Sequence, residues 1–290
     1  MSLVFLVAIG ILGLLVGSFL NVVVYRVPNG MSIVSPRSAC PRCGALIAAY
    51  DNVPVLSWLV LRGQCRTCKT PISVHYPLVE LGTGVFFALV GWAVLGSAVS
   101  TSSTTWVGLS SGFNAVVGEA SIVAVALILV AFLYLAAVSV ALASIDLTTH
   151  TLPNAIVLPS YIVGAVLLGV AGVIDGNFDA LLRAGIGMVS LWLAYFLMAL
   201  AYPGGMGLGD VKLAGVLGLF LGFLGWGPLA TGAFAAFLLG GVFGVALLAT
   251  KRANRRSGIP FGPWMLAGAW VGVLFGSTVW DGYLTLVGLG

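Results

Sequence analysis

The side chains whose types and spacing could do chemistry are four thiols and two carboxylates. Cys40-Pro41-Arg42-Cys43 and Cys65-Arg66-Thr67-Cys68 are two C-x-x-C pairs with 21 residues between them. Each pair pinches two thiolates onto one turn, and two such turns complete a tetrahedron around Zn²⁺. Four sulfur ligands leave no open coordination position, so the ion would be structural rather than catalytic. The competing reading is two redox pairs or free thiols. A reducing cytoplasm disfavours disulfides, and no thioredoxin-like strand–helix pattern surrounds either pair. Arg37, Arg42, Arg66 and Lys69 lie close enough in sequence to offset the thiolate charge. His75 falls just outside the cluster and reads as a spare surface histidine.

The carboxylates are Asp146, in Ser144-Ile145-Asp146-Leu147, and Asp210, in Gly207-Leu208-Gly209-Asp210-Val211-Lys212. Both fall at the ends of long apolar stretches. An ionisable group at membrane depth is a functional candidate by default, although Asp210 also suits a helix N-cap. Two adjacent carboxylates do not both ionise cheaply, so they share one proton. The ionised member takes a proton from water, which attacks a carbonyl carbon, and the protonated member donates to the carbonyl oxygen. That is peptide hydrolysis without a metal or a covalent intermediate. Helix dipoles suggest an order within the pair: Asp210 at a positive helix end with Lys212 nearby, Asp146 at a negative one. Gly207 and Gly209 leave room for a substrate strand to approach.

The elements that must position these groups follow from composition. Of 290 residues, 60% are hydrophobic and 7% charged, against roughly a quarter charged in soluble domains. This excludes a soluble globule, a disordered chain, a coiled coil and a nucleic-acid-binding domain. Charge-free intervals cover residues 1–25, 81–118, 120–145, 151–174, 184–209, 213–250 and 257–280. A crossing needs about 20 apolar residues. The second interval therefore holds one helix, about Leu78 to Gly96, followed by a Ser/Thr/Gly-rich loop from Ser97 to Gly112. The sixth is too long for one helix and breaks at Gly225-Trp226-Gly227-Pro228. The first has no basic region ahead of its apolar run, so it reads as a retained helix rather than a cleaved signal. The expected fold is an all-α polytopic membrane protein with about eight transmembrane helices. Its parts are a first helix over 1–25, a small cytoplasmic zinc-binding domain over 26–77, and a seven-helix membrane domain over 78–290.

Eight crossings put both termini on one side, and they sort the charges. Eleven of the 12 basic residues, all but Arg183, fall on the side opposite the termini. Cytoplasmic loops are enriched in Lys and Arg, so the termini are expected to be periplasmic. Asp146 closes the third crossing and Asp210 opens the sixth. The fourth and fifth form an out-and-back hairpin that returns the chain to the same, cytoplasmic face. The sixth, from Asp210 to Gly225, is short for a span.

Other features carry less. Gly108-Leu109-Ser110-Ser111-Gly112 matches G-x-S-x-G but lacks a preceding strand and lies on the outer side, away from both histidines. His150, four residues after Asp146, reads as a loop histidine that could tune the pair. Lys212 could orient substrate or reach the headgroups. Gly10, Gly13 and Gly17 form a helix-packing spacing.

The residues resemble those of the bacterial prepilin peptidases, membrane aspartic proteases of type IV pilus and type II secretion systems. The resemblance runs through Gly17-Ser18-Phe19-Leu20-Asn21, the two cysteine pairs, Asn52-Val53-Pro54, and Tyr76-Pro77-Leu78-Val79-Glu80. It continues through Ile145-Asp146, Leu152-Pro153-Asn154, the GxGD box Gly207–Asp210 with Lys212, and Pro260-Phe261-Gly262-Pro263. The GxGD box alone is shared with presenilin-like proteases. The resemblance implies Asp146 and Asp210 as the catalytic pair and cleavage of a basic leader after a glycine. It implies prepilins and pseudopilins as substrates and an inner-membrane location with the active site facing the cytoplasm. The four-cysteine loop is typical of members that also methylate the new N-terminal amine with S-adenosylmethionine. Glu80, acidic and close to that loop, is a candidate for the methyl-donor site. A pilin helix, itself apolar, could reach acids at the inner interface by sliding laterally in the bilayer.

Two other classes compete. A proton- or cation-coupled transporter would use Asp146 and Asp210 as a relay, but it needs midplane polar groups in several helices. A zinc-dependent scaffold would use the cysteines without chemistry.

Overall fold

A computed structural model describes residues 3–99, 111–202, 206–250 and 260–288. The chain order is α1 (Leu3–Arg26), a 3₁₀ turn (Ala49–Asn52), α2 (Leu56–Val60), α3 (His75–Val99), α4 (Ser111–Val117), α5 (Ile122–Thr149), α6 (Asn154–Ile174), α7 (Phe178–Ala201), α8 (Leu208–Leu224), α9 (Trp226–Ala249) and α10 (Gly262–Val287). Among the described residues the only β pairing is two isolated bridges, Ala39 with Leu46 and Gln64 with Pro71. The fold is all-α and polytopic, as its composition requires.

Among the described residues seven helices are long and apolar enough to cross a bilayer: α1, α3, α5, α6, α7, α9 and α10. The eighth, α8, has 17 residues, a rise of about 26 Å against a hydrocarbon core of about 30 Å. Every residue of α8 from Leu213 to Leu224 is buried. It runs through the protein interior, so its length answers to its neighbours rather than to lipid. The expected break between the sixth and seventh crossings narrows to Gly225. Its φ of +150° lies where only glycine sits without strain, and α9 begins at the next residue.

Small residues let α8 sit this deep. A Cβ added at Gly187 would lie 2.5 Å from the Gly218 carbonyl oxygen, and one at Gly222 would lie 2.5 Å from the Arg183 carbonyl oxygen. The backbones of α7 and α8 are therefore in direct contact, the geometry that small residues permit in membrane proteins. At the centre of the bundle the Phe132 ring meets Phe113, Phe220 and Trp270 edge-on, with centroids 4.8, 5.5 and 6.4 Å away. The Trp270 indole N–H donates to Ser139 Oγ at 3.0 Å, so its polar edge is satisfied inside the core.

The stretch from Ser97 to Gly112, expected as loop, is helical at both ends. α3 continues to Val99 and α4 starts at Ser111. Fully buried Phe113 anchors α4 against Phe132, a tertiary contact that Ser/Thr/Gly composition does not reveal. Residues 100–110, including most of the G-x-S-x-G match, and the basic run Lys251–Arg256 lie outside the described residues.

Candidate active site and cysteine centre

Asp146 lies in the last turn of α5. Thr148 and Thr149 hydroxyls bond back to Ser144 and Ile145 carbonyls, and His150 caps the helix in the left-handed region (φ 53°), its N–H donating to the Asp146 carbonyl at 2.9 Å. The Asp146 side chain is only 4% exposed. Its Oδ2 accepts the Gly262 N–H at 3.1 Å, and Gly262 opens α10. Asp210 lies in the first turn of α8, and its Oδ2 accepts the Gly207 N–H at 3.1 Å. Each carboxylate is thus held by one backbone N–H at the N-terminus of a helix, where the dipole favours negative charge.

This arrangement corrects the dipole assignment made from sequence. Asp146 belongs to the C-terminal end of its own helix, but its carboxylate reaches the N-terminus of α10. Both acids therefore meet a positive helix end, and the dipoles do not rank them.

Leu152 ties the two acids together. A Cβ on Gly209, the neighbour of Asp210, would lie 3.0 Å from Leu152 Cβ. A Cβ on Gly262 would lie 3.2 Å from Leu152 Cδ2 and 2.6 Å from Asp146 Oδ2. One leucine between the two carboxylate-bearing turns places both acids at the same end of the bundle, where they act on each other electrostatically. Gly262 is the site residue whose role sequence reasoning missed. It was visible only as part of Pro260-Phe261-Gly262-Pro263, because its partner is 116 residues away.

Among the described residues Lys212 forms no ion pair with either acid. Its amine donates to Asn154 Oδ1 at 3.0 Å, and its carbonyl accepts the Tyr161 hydroxyl at 2.6 Å. It joins α8 to the start of α6, which makes it a positioning residue in this structure. His150 is exposed.

The polar segment between α1 and α3 is built on two similar turns. In the first, the Cys40 N–H donates to Ala45 and the Gly44 N–H to Cys40. In the second, the Cys65 N–H donates to Thr70 and the Lys69 N–H to Cys65. Gly44 and Lys69 occupy equivalent left-handed positions, at φ 69° and 58°. The two turns bring all four Sγ atoms within 4.8 Å of one another. Cys40 and Cys68 Sγ are 3.8 Å apart, which matches the edge of about 3.8 Å expected for a tetrahedron with Zn–S bonds of about 2.3 Å. His75 is exposed and outside the group.

The thiol electrostatics favour a cation among them. Hydrogen bonding with the Thr70 side chain and backbone pulls the Cys68 thiol down to about 6. Cys43 is pushed up to about 11: a backbone bond at Ala45 favours its thiolate, but burial and its sulfur neighbours outweigh that. Four thiols this close do not all ionise without a counter-charge. Arg66, expected to help, is committed elsewhere. It grips Asp51, with Nε 2.8 Å from Oδ2 and Nη2 2.5 Å from Oδ1, and lies 5.3 Å from the Tyr50 ring centroid. Arg42 stays beside the cluster, bonded to Thr70 Oγ1 at 3.3 Å.

Glu80, in α3, is 9% exposed, and its Oε2 accepts the Val55 N–H at 2.7 Å. It borders a cavity of about 450 Å³ between the cysteine turns, α2 and the start of α3. That cavity is separate from the aspartates.

Fold and site define a polytopic membrane protein with paired carboxylates at one end of its bundle and a four-cysteine module joining its first two crossings. Residues 11–94 match the bacterial peptidase A24 N-terminal domain, and residues 133–245 match the type IV leader peptidase family. The chain is 34% identical to a prepilin leader peptidase/N-methyltransferase of Pseudomonas putida, over 96% of this chain and 93% of that protein. It is 33% identical to proteins of the same description from Pseudomonas aeruginosa (99% of this chain, 96% of that one) and Neisseria gonorrhoeae (93% and 90%). No solved structure matches. The chain belongs to the type IV leader peptidase family.

Proposed function

We propose that the chain is a prepilin leader peptidase that also methylates the N-terminus it creates. Asp146 and Asp210 are its catalytic pair. The supporting observation is the convergence of two carboxylates, from helices far apart in sequence, on turns linked by Leu152, each held by a backbone N–H. One carboxylate draws a proton from water as the water attacks the carbonyl carbon. The other, protonated, donates to the carbonyl oxygen. Collapse of the tetrahedral intermediate breaks the C–N bond as the leaving nitrogen takes up a proton. Gly207 and Gly209, without side chains, leave room for a substrate strand to approach Asp210. Lys212 holds the first turn of α8 against α6.

The substrate is a prepilin or pseudopilin whose apolar helix lies in the bilayer and whose basic leader stays in the cytoplasm, cut after a glycine. A glycine there eases local unwinding of the helix. The site faces the cytoplasm of the inner membrane, with both chain termini periplasmic. The cysteines hold Zn²⁺, which fixes the fold of the loop, and S-adenosylmethionine supplies the methyl group. Among the described residues, charged side chains within the long helices sit near helix ends, so the polar path that a transporter needs is not supported.

The test is cleavage of a prepilin-type substrate by detergent-purified protein, with the product's mass recorded. Asp146→Asn and Asp210→Asn should each lower the rate by about 10³-fold. Either variant cleaving at the wild-type rate overturns the assignment. Activity should also fall at acidic pH, where both carboxylates are protonated and no base remains. The released mature chain should carry one added methyl.

A further inference from the structure

The buried face of α7 changes character along its length. Its buried residues are Ala180, Ala184, Gly187 and Tyr195. The first three are small, as the contact of the α7 and α8 backbones requires. The fourth is a phenol, 3% exposed, although Leu193 and Leu197 on either side of it are exposed. A leucine at this place would bury as much apolar surface without enclosing a hydroxyl.

The surroundings of Tyr195 are those of the acid pair. Its ring packs on Phe237 of α9 and on Phe261, with centroids 5.4 and 6.3 Å away, and those two rings lie 5.5 Å from each other. Phe261 is the N-cap of α10 and precedes Gly262, whose N–H holds Asp146. Tyr195 and Ala214 of α8 line one small void. Asp210 stands four residues before Ala214, on the same face of α8. Tyr195 therefore meets the start of α10 by ring contact and lies one helical turn from the acid at the start of α8. The Asp210 charge acts on its hydroxyl.

That hydroxyl makes no hydrogen bond among the described residues. Two less deeply buried tyrosines of the bundle both have partners. The Tyr134 hydroxyl pairs with Ser160 Oγ at 3.2 Å, and the Tyr161 hydroxyl donates to the Lys212 carbonyl at 2.6 Å. A buried phenol ordinarily finds a partner, and one without a partner costs the folded state. The one that goes without lies beside the two acids.

We propose that the Tyr195 hydroxyl is a third catalytic group of the acid pair, donating a hydrogen bond to the carbonyl oxygen of the peptide being cut. The assignment rests on the peptidase reading above and adds an oxyanion donor to it. The attacking water pushes electrons onto that oxygen, and the protonated carboxyl passes its proton there. The phenol stabilises the charge that appears before this proton has moved. It is a neutral donor that stays protonated at neutral pH, and no bond to it forms or breaks. Its packing on Phe237 and Phe261 fixes it in advance, so little reorganisation accompanies the reaction.

The test is Tyr195→Phe in the full-length protein in detergent, with kcat and KM for a prepilin-type substrate and a thermal melt. Phenylalanine keeps the ring contacts and removes one oxygen. kcat should fall about 10²-fold, the loss typical of a single oxyanion donor, with KM unchanged because the bond forms only in the transition state. The melting temperature should hold or rise, since the hydroxyl has no partner to lose. Lost activity with undiminished stability is a result that a packing role does not give. A kcat within threefold of wild type overturns the role, whatever the KM. A lowered melting temperature, or a variant too unstable to purify, assigns the hydroxyl to packing and overturns it as well. Asp210→Asn, measured alongside, separates the two readings. If it cleaves at the wild-type rate, the acid-pair reading falls and the phenol's role with it. If it is inactive while Tyr195→Phe matches wild type, only the phenol's role falls.

Discussion

At Gly262 the chain leaves no room for a side chain, because a Cβ there would lie 2.6 Å from Asp146 Oδ2. The catalytic consequences of the site's glycines therefore rank by geometry rather than by motif. Gly262→Ala should push the Asp146 carboxylate aside and lower cleavage about a hundredfold. Gly209→Ala meets Leu152 Cβ at 3.0 Å, so Leu152 must yield and the loss should be smaller. Gly207→Ala meets Asp210 Oδ2 at 3.4 Å and the Gly209 nitrogen at 3.9 Å, ordinary contacts, and should stay within roughly threefold of wild type. Steady-state cleavage rates with melting temperatures check this order, and a Gly207 variant more damaged than Gly262→Ala would contradict it. The two acids were legible in the sequence because charge is so rare there. The Gly262 contact and the Arg66–Asp51 pair were not. Both depend on how distant segments meet, and neither has a local periodic signature.

Among the elements, α8 depends most on contacts that no residue-type rule announces. Its shortness was readable from sequence, but its enclosure by neighbours was not, since apolar residues face lipid and core alike in a membrane protein. The α7–α8 seam makes this testable. A side chain at Gly218 would run into the Gly187 backbone carbonyl. Backbone cannot yield as a flexible side chain does, so Gly218→Leu should cost about 3 kcal/mol or prevent folding. At Gly185, on the same helix pair, a Cβ meets nothing within 4 Å, and Gly185→Leu should change stability by less than about 0.5 kcal/mol. Thermal melts of the two variants in one detergent decide it. In the loop element, Arg66 holds Asp51 below the usual carboxylate range. A lowered carboxylate contributes stability that is present above its unfolded value and is lost as pH falls through its folded value. Asp51→Asn should therefore soften the loop near neutral pH, and the difference from wild type should vanish under strongly acidic conditions. Hydrogen exchange across residues 38–72, followed against pH, reads this directly. The same measurement with a zinc chelator should show that segment opening while the long helices stay protected.

For the whole molecule, orientation follows from charge and crossing number together. Among the described residues seven helices are long enough to cross; on the proposed orientation the enclosed α8 is an eighth crossing, an even count that returns the C-terminus to the side of the N-terminus. On the proposed orientation the cysteine segment and the Asp146 and Asp210 turns share the opposite side with Arg26, Arg37, Arg42, Arg62, Arg66, Lys69 and Lys212. Positive charge is retained in the cytoplasm, so an alkaline phosphatase fused after Gly290 should be active in cells and a fluorescent protein at the same point dark. Fusions truncated in the cysteine segment should give the reverse pattern. If α8 did not count as a crossing, the C-terminus would be cytoplasmic and the first pair of fusions would exchange signals. Asp146 and Asp210 would stay close in either case, because Leu152 joins their turns. The fusion result therefore tests the orientation of the enzyme in its membrane independently of its chemistry.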